Sequence, residues 1–84
     1  MYLHIGNGES IKTEDIIGIF DLDTATVTDT GKSFLTHAER AGKTEYADDD
    51  LPRSFVISTE KNDTRVRLSR LSSVALAERF DQTE

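Results

Sequence analysis

Apolar and polar residues alternate along much of the chain, with the period of two that is typical of half-buried β-strands. The predicted strands are bounded by turns of glycine, asparagine or charged residues, so neighbouring strands should pair as hairpins. They cover residues 2–5 and 10–12 around Gly6-Asn7-Gly8, residues 43–47, and residues 54–58 and 64–68 around a polar turn at 60–63.

A continuous apolar run at residues 16–20 has a different meaning. It is short, β-branched and without a polar position, which predicts a central strand buried on both faces. A brief helical turn with Thr13 as its cap should precede it, and polar residues 21–28 should form a connection after it.

Two segments have the spacing of helices. Residues 29–41 carry an apolar stripe, with Thr28 or Thr30 as the expected N-cap and Gly42 at the C-cap. The stripe consists of Phe34, Leu35, Ala38 and Ala41.

Ser72 should cap a last helix that runs through about Phe80, with residues 81–84 as a frayed tail. Val74, Leu76, Ala77 and Phe80 are available for packing. The order of elements predicts an α+β fold, with a small, mainly antiparallel sheet and two helices, in a single domain over residues 1–80.

Length and composition limit the classes of protein to which the chain can belong. A chain of 84 residues without cysteine forms one small core with no disulfide and no thiolate metal site. It has no apolar stretch of the roughly 18 residues that cross a membrane and no signal peptide, so we expect a cytoplasmic protein.

The motifs that could carry catalysis are weak. Asp21 and Asp23 follow an apolar strand, as in haloacid-dehalogenase phosphatases, but the chain is too short for the doubly wound sheet that such chemistry needs. His4 and His37 have the sequence context of surface histidines, and Asp48, Asp49 and Asp50 lack the alternate spacing of a calcium loop. We predict no catalytic residue, no metal, no cofactor and no small-molecule substrate.

Charge gives the clearest binding candidates. Ten basic and sixteen acidic residues make a net charge of −6, which is unusual for a nucleic-acid-binding protein. A local basic patch could still form if the β-hairpin brings together Arg53, Arg65, Arg67 and Arg70. The alternative, somewhat favoured by the spacing alone, is a solvated strand face whose arginines pair with Glu60, Asp63 or another subunit.

An ordered set of short motifs resembles a known family across nearly the whole chain. The set comprises residues 1–6, Thr13, Asp15, residues 16–21, residues 51–57, Leu68-Ser69 and Leu71-Ser72-Ser73. It resembles the RemB branch of the bacterial extracellular-matrix regulators RemA and RemB. The resemblance implies a non-enzymatic regulator of biofilm-matrix genes, with a fold similar to the LytTR type of DNA-binding domain and assembly into rings.

One segment departs from the RemA branch, which has a basic pair before the strand that corresponds to residues 54–58. Here that stretch is acidic, with Asp48, Asp49 and Asp50, so those DNA contacts do not carry over. Two hypotheses stay open. The first is a homo-oligomer that contacts DNA backbone through Arg53, Arg65, Arg67 and Arg70. The second is an interaction module without DNA that binds itself, a basic paralogue or another basic partner, the last through Asp48, Asp49 and Asp50.

Overall fold

The α+β class is confirmed, and the two long helices and the strands lie where the sequence predicts them, whereas the short helix at Leu22–Ala25 was not predicted. The computed structural model describes residues 1–82. The strands of this part are β1 Tyr2–Gly6, β2 Glu9–Lys12, β3 Ile16–Asp21, β4 Thr44–Tyr46, β5 Ser54–Glu60 and β6 Asp63–Ser69. The α-helices are α1 Leu22–Ala25, α2 Asp29–Arg40 and α3 Ser73–Gln82, and a 3₁₀ turn spans Thr13–Asp15.

Both predicted hairpins are confirmed. β1 pairs antiparallel with β2, and β5 pairs antiparallel with β6. The first turn uses positive φ at Gly6, Asn7 and Gly8, and the second uses φ of 53° and 66° at Lys61 and Asn62. Asparagine and glycine tolerate this backbone region well, which explains why the turn chemistry located the hairpins.

The prediction that residues 16–20 form a central strand was wrong. The larger sheet has the order β3-β5-β6-β4, so β3 lies at its edge, and β4 closes the other edge parallel to β6. The pairing of β3 with β5 shifts register between Ile16 and Gly18, and the intervening Ile17 is 63% exposed. No residue of this run is fully buried: Ile16 and Ile19 are half-buried against one core, whereas the bulge leaves Ile17 exposed and Phe20 is 41% exposed.

The larger sheet has an apolar core on each face. The β1–β2 hairpin and α3 pack on one face, around the buried residues Leu3, Ile5, Ile11, Ala47, Val56 and Leu76. On the other face α2 packs through Ala38 onto Phe55, Val66 and Leu68. Val66 and Leu68 thus lie on the face opposite Arg67, as the alternation in β6 predicts.

The ends of the long helices agree with their predicted caps. Thr28 Oγ1 accepts a hydrogen bond from Gly31 N at 3.0 Å, and Gly42 follows α2 with φ of 70°. Ser72 Oγ accepts one from Ala75 N at 3.1 Å. Within the predicted stripe of α2, Ala38 is buried and Leu35 half-buried, whereas Ala41 is exposed.

Three local predictions need correction. Residues 22–25 form α1 rather than a polar connection, because Asp21 Oδ1 accepts from Thr24 N at 3.2 Å and caps one helical turn. Thr13 does not cap the 3₁₀ turn, since its amide and hydroxyl both donate to Met1 O. Helix α3 extends to Gln82, and the rest of the predicted tail lies outside the described residues.

Candidate interaction surfaces

Arg65 and Arg67 do share one face of the sheet, as predicted, but carboxylates share it with them. The parallel pairing of β4 with β6 places Glu45 beside Arg67. Arg67 lies between Glu60, whose Oε2 is 3.1 Å from its Nη2, and Glu45, whose Oε2 is 3.4 Å from its Nε. Its side chain is only 15% exposed, so its charge is largely committed to these two partners.

The remaining charges of this face are also paired. Arg65 Nη1 lies 3.3 Å from Glu45 Oε1, and Arg65 Nε lies 3.9 Å from Asp63 Oδ2. Lys43 donates a hydrogen bond to Asp63, and this bond is the main reason that the pKa of Asp63 lies below its ordinary value. An open depression of about 460 Å³ on this face is lined by three cations and three anions, which are Lys61, Arg65, Arg67, Glu45, Glu60 and Asp63.

Arg70 is held by the acidic loop. Its Nε lies 2.9 Å from Asp48 Oδ2 and 3.8 Å from Asp50 Oδ2. Asp48 also accepts a hydrogen bond from Asp50 N at 2.9 Å, and only 13% of its side chain is exposed. This arrangement uses Asp48 inside the chain, and leaves Asp49 and Asp50 as the exposed carboxylates of the loop.

Arg53 is exposed and differs from the other three arginines. Its backbone N donates to Ser69 O at 2.7 Å and its carbonyl accepts from Leu22 N at 3.0 Å, so its backbone position is fixed at one end of the sheet. Its guanidinium has no ion-pair partner within residues 1–82. The four predicted DNA contacts therefore form no contiguous basic rim, because three of them already meet carboxylates of the same chain.

The residues considered for catalysis either take part in contacts that hold the fold together or are exposed to solvent. Asp21 caps α1, and its Oδ2 lies 3.5 Å from Ser73 Oγ, which donates to it. His4 and His37 are exposed. Over residues 1–82 no cluster of three or more histidine, aspartate or glutamate side chains could hold a metal ion, and no helix is long and apolar enough to cross a membrane.

A surface that the sequence did not indicate lies along the free edge of β3. Ile17 is 63% exposed and Phe20 is 41% exposed there, and Val74 at the start of α3 is 66% exposed. The run at residues 16–20 was assigned to the interior because apolar composition does not distinguish a central strand from an edge strand. The four charges next to this run, at Glu14, Asp15, Asp21 and Asp23, were the available signal.

No protein-family model matches the chain, and no curated protein matches it in sequence.

Proposed function

We propose that the chain is a regulator of extracellular-matrix genes of the RemB type, which acts in the cytoplasm by assembling with protein subunits and catalyses no reaction. The motif resemblance supports the family and the LytTR-type architecture. The observation that favours assembly over DNA binding is the neutralisation of Arg65, Arg67 and Arg70 by carboxylates of their own chain. A DNA surface needs uncompensated positive charge, because phosphate contacts provide most of the affinity.

Self-assembly has support from the apolar residues at the surface. Tyr46 and Leu51 are 61% and 86% exposed. A domain of this size has a thin core, and subunit contacts would add buried apolar area. The proposed assembly is a homo-oligomer, of which a ring is the form that the resemblance implies.

DNA binding is the second candidate function, and Arg53 is the observation that favours it. Its exposed guanidinium is not paired within the described residues, so it can meet a phosphate without first losing a partner. A single arginine binds weakly, but copies of it around an oligomer would act together on one long duplex. Arg65, Arg67 and Arg70 would each have to exchange a carboxylate for a phosphate, which gives little net gain.

A DNA titration separates the two candidates. We expect weak binding to a long duplex and to a short one, even at low salt, with little change when the three paired arginines are replaced by alanine. The matched controls are Arg53→Ala and Arg40→Ala, which remove the same charge from two exposed positions. Tight binding that prefers the long duplex, falls steeply with salt and is lost with Arg53→Ala alone would establish the DNA function instead.

Sedimentation tests assembly directly. The proposal expects a species well above the 9.4 kDa of the chain, with a fraction that rises with protein concentration. A monomer throughout an accessible concentration range would contradict self-assembly.

A further inference from the structure

The free edge of β3 offers backbone hydrogen-bonding groups as well as apolar side chains. Leu22 N donates to Arg53 O at 3.0 Å, which continues the β3–β5 ladder by one residue. Because hydrogen-bonded and non-hydrogen-bonded pairs alternate in an antiparallel ladder, Gly18 and Phe20 bond to β5. The N–H and C=O of Ile19 then point away from β5, toward the free edge.

Carboxylates stand at both ends of this edge. Glu14 and Asp15 precede β3, Asp21 ends it, and Asp23 follows in α1. None of the four takes part in an ion pair within residues 1–82, although Lys12 and Lys61 line a depression with Asp15. The opposite is true of the face that carries Arg65 and Arg67, where Glu45 and Glu60 are already paired.

These charges decide which strand fits the edge. If β3 of a second copy paired here, in either direction, it would bring acidic ends against acidic ends, and like charges placed opposite one another are destabilising. An extended segment with an apolar centre and basic ends would instead meet each carboxylate with an opposite charge. It would also cover Ile17 and take up the outward backbone groups.

We infer that the β3 edge is a docking site for an extended basic segment of a partner protein, which adds a strand to the sheet beside Ile16–Asp21. The inference rests on the proposed function and names the partner class of that interaction module. It moves the site of basic-partner binding from Asp48, Asp49 and Asp50 to β3, since Asp48 is already held by Arg70.

A synthetic peptide of sequence KKVTVTVKK is the probe, labelled at one end for fluorescence anisotropy. Its controls are EEVTVTVEE, with reversed end charges, and KKVPPTVKK, whose adjacent prolines remove one backbone donor from each side of the strand. We expect the first peptide to bind at least about tenfold more tightly than either control, because both the charges and the backbone bonds contribute. Equal binding of the acidic peptide or of the proline peptide would overturn the proposal.

Protein variants locate the site. Ile17→Lys places a charge on the exposed edge and should weaken binding about tenfold or more, as charged residues on edge strands oppose pairing. Leu51→Lys makes the same change on the acidic loop and should leave affinity within about twofold. Both side chains are exposed, so neither variant should unfold the domain. Loss of binding in Leu51→Lys alone would place the site on the loop and overturn the proposal.

Amide hydrogen exchange gives the decisive readout. Bound peptide should slow exchange at Ile19, whereas Gly18 and Phe20, already bonded to β5, should change little. An oligomer that fails to bind the peptide, and that Ile17→Lys converts to monomer, would mean that a second copy covers the edge. That result overturns this inference and keeps the proposed assembly, whereas a monomer that binds the peptide keeps the inference and contradicts self-assembly.

Discussion

The ring of Phe20 explains why position 18, two residues before it in β3, is a glycine. A Cβ on Gly18 would lie 2.7 Å from two ring atoms of Phe20, because that ring lies back across the strand. Phe20 is fixed there by stacking on Phe55, with ring centroids 5.3 Å apart. Glycine inside an apolar strand lowers strand propensity, and here it is explained by a close approach that leaves no room for a methyl group.

Gly18→Ala should therefore lower the free energy of unfolding by about 1–3 kcal/mol, the usual cost of forcing an extra carbon into a packed site. Urea denaturation measures the loss. In a Phe20→Ala background the same substitution should cost close to nothing, because the clashing ring is absent. An equal loss in both backgrounds would show that the ring is not the cause.

Among the strands, Arg67 acts as a connection between elements rather than as a free surface charge. It belongs to β6, and its two carboxylate partners belong to β4 and β5. Strand β4 has only three residues, so this interaction is a substantial part of what holds that edge to the sheet. The two arginines of β6 should differ accordingly.

Arg67→Ala should lower the free energy of unfolding by roughly 1–2 kcal/mol, since it removes charge-assisted hydrogen bonds to Glu60 and an ion pair with Glu45. Arg65→Ala should cost less than about 0.5 kcal/mol, because its own side chain is 38% exposed and its ion pairs are therefore screened by water. Thermal and chemical denaturation of both variants test the difference. Equal stability of the two would contradict the connecting role of Arg67.

The sequence-based predictions are accurate for features that depend on residues close together in the chain, and fail for features that depend on contacts between distant segments. Turn residues and alternation are local, so the hairpins and the caps at Thr28 and Ser72 were predictable. The edge position of β3 depends on which strands flank β5, and a single helical turn such as α1 is too short to show a period. Arg65 and Arg67 were correctly placed on one face, but their neutralisation by Glu45 required the parallel pairing of β4 and β6, which no local signal encodes.

For the molecule as a whole, net charge conceals an uneven distribution. The basic side chains of β6 and its exit are neutralised locally, whereas the carboxylates around β3 are not paired within the described chain. Four carboxylates without an ion pair within residues 1–82 therefore flank one edge of the sheet, whereas the arginine-rich face is close to neutral. This asymmetry is the reason that the overall charge of −6 and the local arginine count point to different partners.

The stability of the whole protein at low pH tests the ion pair between Lys43 and Asp63. The hydrogen bond from Lys43 holds the pKa of Asp63 below its ordinary value of 3.8, so the folded state binds fewer protons than the unfolded state near that pH. Its stabilisation is complete above pH 3.8 and is lost as pH falls through the lower folded-state pKa.

Asp63→Asn should therefore lower stability at neutral pH and flatten the acid limb of a plot of unfolding free energy against pH. Asp49→Asn is the matched control, since Asp49 is exposed and forms no ion pair in the described part of the chain. If the acid limb were as steep in Asp63→Asn as in the unmodified protein, other carboxylates would control it.

The first strand is tied to the far end of the chain, and this bears on how fast the protein can fold. Ser69 Oγ donates to Ile5 O at 2.6 Å across 64 residues, and Arg79 Nη1 donates to His4 O at 3.1 Å across 75 residues. The β1–β2 hairpin can form early, but its apolar face stays in water until β6 and α3 arrive. Closing such long loops costs chain entropy before the stabilising contacts form. Refolding should therefore take on the order of milliseconds to seconds, not microseconds.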